Sequence, residues 1–337
     1  MQYKNNGRIV YLDLLRILAT FAVIFLHVVC QEFFCFSFSR NWYISVVGDS
    51  IVRWCVPVFV MISGTLFLIP SKNVTYREIL RKRLPRLLIA YFFWTIVYYF
   101  LFDYHGEFSI KNLLSSHFHL WFMPMLMGVY LLIPILRKIA IDKTLLNYSL
   151  AIWLAFILIS FLQFITLFKS ARHFHFLFNM NSVVGFSGYC LLGYYLSQVS
   201  FSKRQRILIY IMGIVGALVT IFGTLYMSIK MGEYNERYFA NLSIQVAAMA
   251  SALFVLVKGI APRFGNGMLI LVDFVRKDLF GIYLVHALWL EVFNTYAIRH
   301  CFSIVFTLPL ITLVVFICSL FTTKLIRLVP GLRKVVE

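Results

Sequence analysis

Apolar residues in this chain come in long runs, not in the narrow stripes of a soluble helical bundle. A helix needs about 20 apolar residues to cross a hydrocarbon core of roughly 30 Å. Ten runs near that length, bounded by charges, Gly, Pro or Asn, lie near residues 10–31, 46–70, 84–103, 119–136, 148–168, 182–200, 207–229, 239–260, 279–298 and 302–326. The pattern predicts an all-α polytopic membrane protein, a bundle of about ten transmembrane helices. The sixth run contains Gly185, Gly188 and Gly193 and suits a helix packed closely on its neighbours. The first follows Lys4 and Arg8 as a signal peptide would. It is too long for one, carries Asp13 and Arg16, and lacks a small-x-small cleavage site, so it is expected to stay in the mature chain. The runs leave room for a single integral-membrane domain over 1–337.

Composition agrees: 61% of residues are hydrophobic, against roughly 45–50% in soluble domains. Only 13% are charged, too few to cover a soluble surface. A net charge of +18 would point to nucleic acid in a soluble protein, but its placement changes the reading. Of 31 Lys and Arg residues, 22 fall in alternate loops that include both termini, six of them (Lys72, Arg77, Arg81, Lys82, Arg83, Arg86) between the second and third runs. Seven lie in the other loops, and Arg16 and Arg53 fall inside runs. The positive-inside rule then puts both termini in the cytoplasm and removes nucleic acid as a partner. The six Cys form no CxxC pair and lie mostly in apolar runs, where Cys acts as a small hydrophobe.

Charges inside spans are costly and mark candidate sites. In LDLLRILATFAVIFLH, Arg16 and His27 are eleven residues apart, which returns to nearly the same helix face about 16 Å along the axis. Asp13 stands three residues before Arg16, where it can pair with it. Arg16 either snorkels to the interface with Asp13 as counter-ion or faces a polar path with His27. The second run carries Arg53 near its outer end and then Pro57, which should bend the helix. At the start of the third run Arg83 and Arg86 stand at i, i+3, a spacing suited to phosphate through guanidinium forks or to anionic membrane lipid, and Pro85 suits a first turn. His119 and Trp121 stand at the outer interface of the fourth run, and His286 and Glu291 lie within the ninth. Nothing is spaced like a metal site, and no Walker, GxGxxG or GxSxG element occurs.

These residues resemble the acyltransferase 3 family, the bacterial membrane O-acetyltransferases of surface polysaccharides. The likeness rests on Arg16 and His27 as R-x10-H and on Arg83 and Arg86 as R-x-x-R. RWCVPVFVMISG, HLWF and GIYLVH follow in order, with coverage over about 8–330. Met123 and Pro124, in MPM after HLWF, depart from the usual apolar run. The compact length is most similar to the branch of the family that acetylates enterobacterial common antigen. The resemblance implies transfer of an acetyl or other acyl group from cytoplasmic acyl-CoA to a hydroxyl of an envelope glycan or its lipid-linked precursor, in a bacterial inner membrane. It makes His27 catalytic with Arg16 its partner, and assigns the acetyl-CoA donor to Arg83 and Arg86, with no metal. Asp13, Arg53, His119, Trp121 and His286 are accessory candidates. A transporter or flippase of a glycan or small polar solute would also place polar residues in ten spans, though no repeated half is evident; a non-catalytic partner in polysaccharide synthesis is the third reading.

The charge partition makes a direct prediction: alkaline phosphatase fused after Thr75 is inactive, because the 71–86 loop is cytoplasmic. High phosphatase activity at that junction would reverse the orientation of every loop.

Overall fold

The computed structural model describes residues 4–5, 8–71, 74–104, 110, 113, 117–162, 182–295 and 303–337. Lys72, Lys111, Lys169, Arg172, Arg299, Cys301 and the ends of the fifth, ninth and tenth runs lie outside them. A two-residue antiparallel ladder, Lys4–Asn5 with Arg8–Ile9, leads into the helices. These are α1 (Val10–Phe33), α2 (Arg40–Val52), α3 (Cys55–Phe67), α4 (Leu84–Tyr98), α5 (Phe122–Ile141), α6 (Lys143–Leu162), α7 (Ser182–Gln198), α8 (Lys203–Met231), α9 (Ile244–Ile260), α10 (Asn266–Val275), α11 (Leu279–Thr295) and α12 (Ile304–Leu328). Every predicted run holds at least one helix, and the protein is an all-α polytopic membrane protein. Among the described residues eight helical segments are long and apolar enough to cross a bilayer. The sixth and ninth runs form α7 and α11, 17 residues each, or about 26 Å.

The second run differs from its expected form. It starts at Arg40, not near 46, and is interrupted at Arg53 and Trp54, between α2 and α3. Pro57 is the cause, acting four residues upstream: it has no N–H for the Arg53 carbonyl and its ring crowds that group. The ladder resumes when Val58 N–H donates to Trp54 O at 3.1 Å. Arg53 thus stands halfway along the 28-residue helical segment Arg40–Phe67. Pro85 does take the first turn of α4, after a π-helical turn over Ile79–Arg83.

Lipid offers no hydrophobic force to bring helices together, so close packing of small residues does that work. A Cβ on Gly193 would stand 2.1 Å from Met61 O, and one on Gly64 would stand 1.8 Å from Cys190 O, so α3 and α7 meet backbone to backbone. Thr65 Oγ1 seals the contact by donating to Met61 O and Gly193 O, each at 3.0 Å. Cβ atoms on Gly185 and Gly188 would meet Leu242 and Trp153 at 2.4 and 2.2 Å, which accounts for the glycine-rich sixth run.

Helix C-termini leave carbonyls unpaired, and long cations cover them at one end of the bundle. Arg137 Nη1 donates to Phe67 O and Ile69 O at 2.5 and 3.2 Å. Lys258 Nζ donates to Leu196, Ser197 and Val199 carbonyls at 2.8–2.9 Å. At this basic end Asp278, 1% exposed, pairs with Arg327 and Lys324, and Trp94 Nε1 donates to Val335 O at 2.9 Å. A hydrogen bond from Arg333, with Arg327 alongside, holds the Glu337 carboxyl below its ordinary range.

Gly193→Ala should lower stability by about 1–3 kcal/mol, as overpacking does, read as a fall in the thermal midpoint of detergent-solubilised protein. Gly259→Ala is the control, since its Cβ would meet only Arg206 at 4.0 Å. Equal midpoints for the two variants would contradict the backbone contact between α3 and α7.

Candidate functional site

The eleven-residue spacing on α1 sets the site. Arg16 Nη1 donates to Asp13 Oδ1 at 3.0 Å, the pairing expected from sequence. Arg16 also lines a cavity of about 420 Å³ toward the basic end, with Ser63, Arg83, Met123, Tyr130 and Tyr283. His27 lines a second cavity of about 460 Å³, with Gln31, Arg53, Trp121, Glu236, Asn241 and Glu291. The two residues that share a helix face therefore open into two different spaces, basic and far, about three helical turns apart.

A cluster of aromatic rings stands between them. The His27 ring lies 5.4 Å from His286 and 4.9 Å from Phe118, centroid to centroid. His119 lies 5.1 Å from His286 and 4.8 Å from Tyr98. Tyr98 stacks on His117 at 4.5 Å, and the His117 and His119 Nδ1 atoms are 3.1 Å apart, so one donates to the other. Hydroxyls fix the backbone behind these rings. Tyr283 Oη donates to His119 O at 2.5 Å; Tyr98 Oη donates to Leu284 O at 2.7 Å and accepts from Leu288 N–H at 3.1 Å. The arrangement ties α4, the entry to α5, and α11 to the middle of α1.

The tautomer of His286 follows from its partner. Tyr283 O can only accept, so the 2.5 Å contact places the proton on His286 Nδ1. In the neutral ring Nε2 then carries the lone pair, and it is buried with no protein partner. His119 Nε2 is likewise buried and without a protein partner. Two further imidazoles therefore present ring nitrogens beside His27 in a site 0–1% exposed at His286 and His119.

Arg53 reaches the far cavity from the break between α2 and α3. Asp49, one turn earlier and fully buried, pairs with its Nη2. Its guanidinium also lies 3.8 Å over the Phe239 ring. Arg53 Nε is buried and donates to no protein group. Trp121 and Glu291 line the same cavity, so Trp121 is a wall residue of it.

At the basic end Arg83 lines the cavity with Arg16, and its Nε and Nη2 donate to Glu78 Oε1 at 3.3 and 3.0 Å. Arg86 does not line that cavity: it is exposed and lies within electrostatic reach of Glu337. Met123, unassigned by sequence, is a buried wall residue of the same cavity. Sequence reasoning missed Asp49, Tyr98, Tyr283, Glu236 and Asn241. Asp49 was open to discovery as a carboxylate at i−4 from Arg53; the others are brought in by tertiary packing. Among the described residues no group of three or more His, Cys, Asp or Glu side chains could hold a metal ion.

An imidazole beside a cavity lined by hydrogen-bonding side chains is chemically able to act as a general base, and a separate cavity lined by Arg16 and Arg83 lies toward the basic end. The acyltransferase 3 family model, described as an acyltransferase domain, matches residues 9–323. No curated protein and no solved structure matches the chain.

Proposed function

The chain belongs to the acyltransferase 3 family and is a membrane-bound acyltransferase, and on that premise we propose that it moves an acetyl group from cytoplasmic acetyl-CoA to a hydroxyl of an envelope glycan or its lipid-linked precursor. The observation that carries this reading is the division of labour along α1: Arg16 lines the basic-end cavity and His27 the far one, with the imidazole cluster between. The basic end faces the cytoplasm in this reading, in a bacterial inner membrane.

Arg83 and Arg16 suit the phosphates and polar arm of a CoA thioester, because a guanidinium fork matches phosphate oxygens. Arg86, exposed at the basic end, adds longer-range attraction for the donor's phosphates. The mostly apolar wall of Phe59, Ile62, Leu66 and Phe122 suits the rest of a slender chain passing toward Tyr283. His27 takes the proton from the acceptor hydroxyl as that oxygen attacks the thioester carbonyl carbon. A C–O bond forms, the carbonyl becomes an oxyanion, the C–S bond then breaks, and His27 returns its proton to the departing thiolate. Arg53 Nε–H, buried and not committed to a protein acceptor, is the donor for the oxyanion. His286 and His119 keep the surroundings of His27 polar yet free of fixed charge when neutral, and Asp13 orients Arg16. An acyl-imidazole on His27 would use the same residues in two steps.

His27→Gln keeps much of the volume and a hydrogen-bonding edge. It should leave the thermal midpoint and acetyl-CoA affinity near those of the parent and lower turnover by roughly 10² or more, as loss of a positioned acid-base group does. Turnover is read as thiol release by purified protein with a glycan extract. Parental turnover in this variant would remove His27 from the chemistry.

A further inference from the structure

Two guanidiniums close on one carboxylate at the basic end, and a third lies within electrostatic reach of it. Glu337 Oε1 accepts from Arg327 Nε at 3.0 Å, with Arg327 Nη2 also 3.0 Å from that oxygen, and Glu337 Oε2 accepts from Arg333 Nε at 2.7 Å. Arg86 adds its attraction from α4. The two carboxylate oxygens are thus divided between two arginines, one of them gripping by a fork, which is how guanidiniums hold phosphate. Both sides of this shell connect to the wall of the cavity that Arg16 lines. Arg86 comes three residues after Arg83, and Asp278, the partner of Arg327, immediately precedes Leu279 and Phe280, which line that cavity with Arg83.

The backbone here is held by groups other than the Glu337 side chain. Leu332–Val335 form a 3-10 turn, Trp94 Nε1 donates to Val335 O at 2.9 Å, and Val336 is fully buried. Arg327 is fixed from behind, because its Nη1 also donates to the buried Asp278. The Glu337 and Arg333 side chains are 28% and 59% exposed. The carboxylate can therefore swing away from a shell that stays in place, with no movement of the main chain.

We propose that Arg327 and Arg333, with Arg86, form a subsite for the phosphate monoester on the donor's nucleotide, and that Glu337 occupies this subsite until the donor displaces it. The proposal rests on the acetyl-CoA reading. Coenzyme A carries a pyrophosphate and, on its ribose, a separate phosphate monoester. The monoester bears nearly two charges on three acceptor oxygens, so among three guanidiniums it outcompetes a single carboxylate. The phosphate of a common membrane lipid is a diester with one charge and gains less from the same shell. Arg16 and Arg83 then remain for the pyrophosphate and the arm beyond it. Glu337 acts as an internal competitor, and no covalent bond forms or breaks in the exchange.

The test titrates full-length protein in detergent, by calorimetry, with coenzyme A and with dephospho-coenzyme A, which lacks only the monoester. The parent should bind coenzyme A more tightly by roughly tenfold or more, the size of a charge-assisted hydrogen bond. Glu337→Gln keeps the volume and loses the charge. It should tighten coenzyme A by about threefold or more and leave dephospho-coenzyme A within about twofold. Arg333→Gln should narrow the gap between the ligands to about threefold or less; Arg327 is left intact, because its loss would strand the buried Asp278. Asp142→Asn removes the same charge elsewhere at the basic end and keeps an acceptor for Thr144 N–H, so it should change neither affinity. A gap that Glu337→Gln fails to widen, or that Arg333→Gln fails to narrow, makes Glu337 a structural tie and overturns the proposal. Equal binding of the two ligands by the parent overturns the monoester subsite and leaves the donor reading standing. No binding of either ligand by folded protein sinks both.

Discussion

A guanidinium halfway along an apolar helical segment needs a partner within the fold, and the placement of Arg53 governs much of this molecule. Its charge is met by Asp49 one turn away. Removing one partner of such a buried pair costs about 3–5 kcal/mol, because the other is left uncompensated. The helix opens at the same point, since Pro57 cannot serve the Arg53 carbonyl, and the opening lets the side chain turn into the far cavity. There it covers Phe239 and holds the rim that carries Glu236 and Asn241. One ion pair thus joins the broken second span, a loop distant in sequence, and the space that His27 faces.

The same demand for satisfied polar groups organises the centre. Tyr98, Tyr283, His117, His119 and His286 come from three chain segments, and their hydroxyls and rings are partnered mostly by backbone carbonyls and one another. Hydrogen bonds of this kind replace the hydrophobic force that is missing between helices in lipid. They also leave His119 Nε2 and His286 Nε2 buried without a protein partner near His27, in surroundings of low polarity where electrostatic interactions are strong. The same histidines thus pack the centre of the bundle and, in the proposed reaction, surround His27.

How much of this was legible beforehand depended on whether a relation was local. Helical periodicity put Arg16 and His27 on one face, and the Asp13 pairing followed from i, i+3 spacing. The glycines of the sixth run announced close packing, and α7 meets α3 at backbone distance. Pro57 announced a distortion, and the helix breaks at Arg53 and Trp54, where the carbonyl four residues earlier loses its donor. Arg83 and Arg86, alike in sequence, part company in space: one lines the cavity and the other stands exposed. The nearness of His119 and His286 to His27, and the cavity that Glu236 and Glu291 share with it, were beyond sequence patterns, since each depends on how separate helices and loops pack.

The central claim is that donor and acceptor meet at α1 from opposite sides of the membrane. Proteoliposomes with the 71–86 loop outward, as shown by protease access, allow it to be measured directly. Acetyl-CoA, which does not cross the bilayer, is added outside, and a glycan acceptor is sealed inside or supplied outside. The account predicts acetylated glycan when the acceptor is inside and almost none when both substrates are outside. Product formed only when the two share the outer compartment would contradict it.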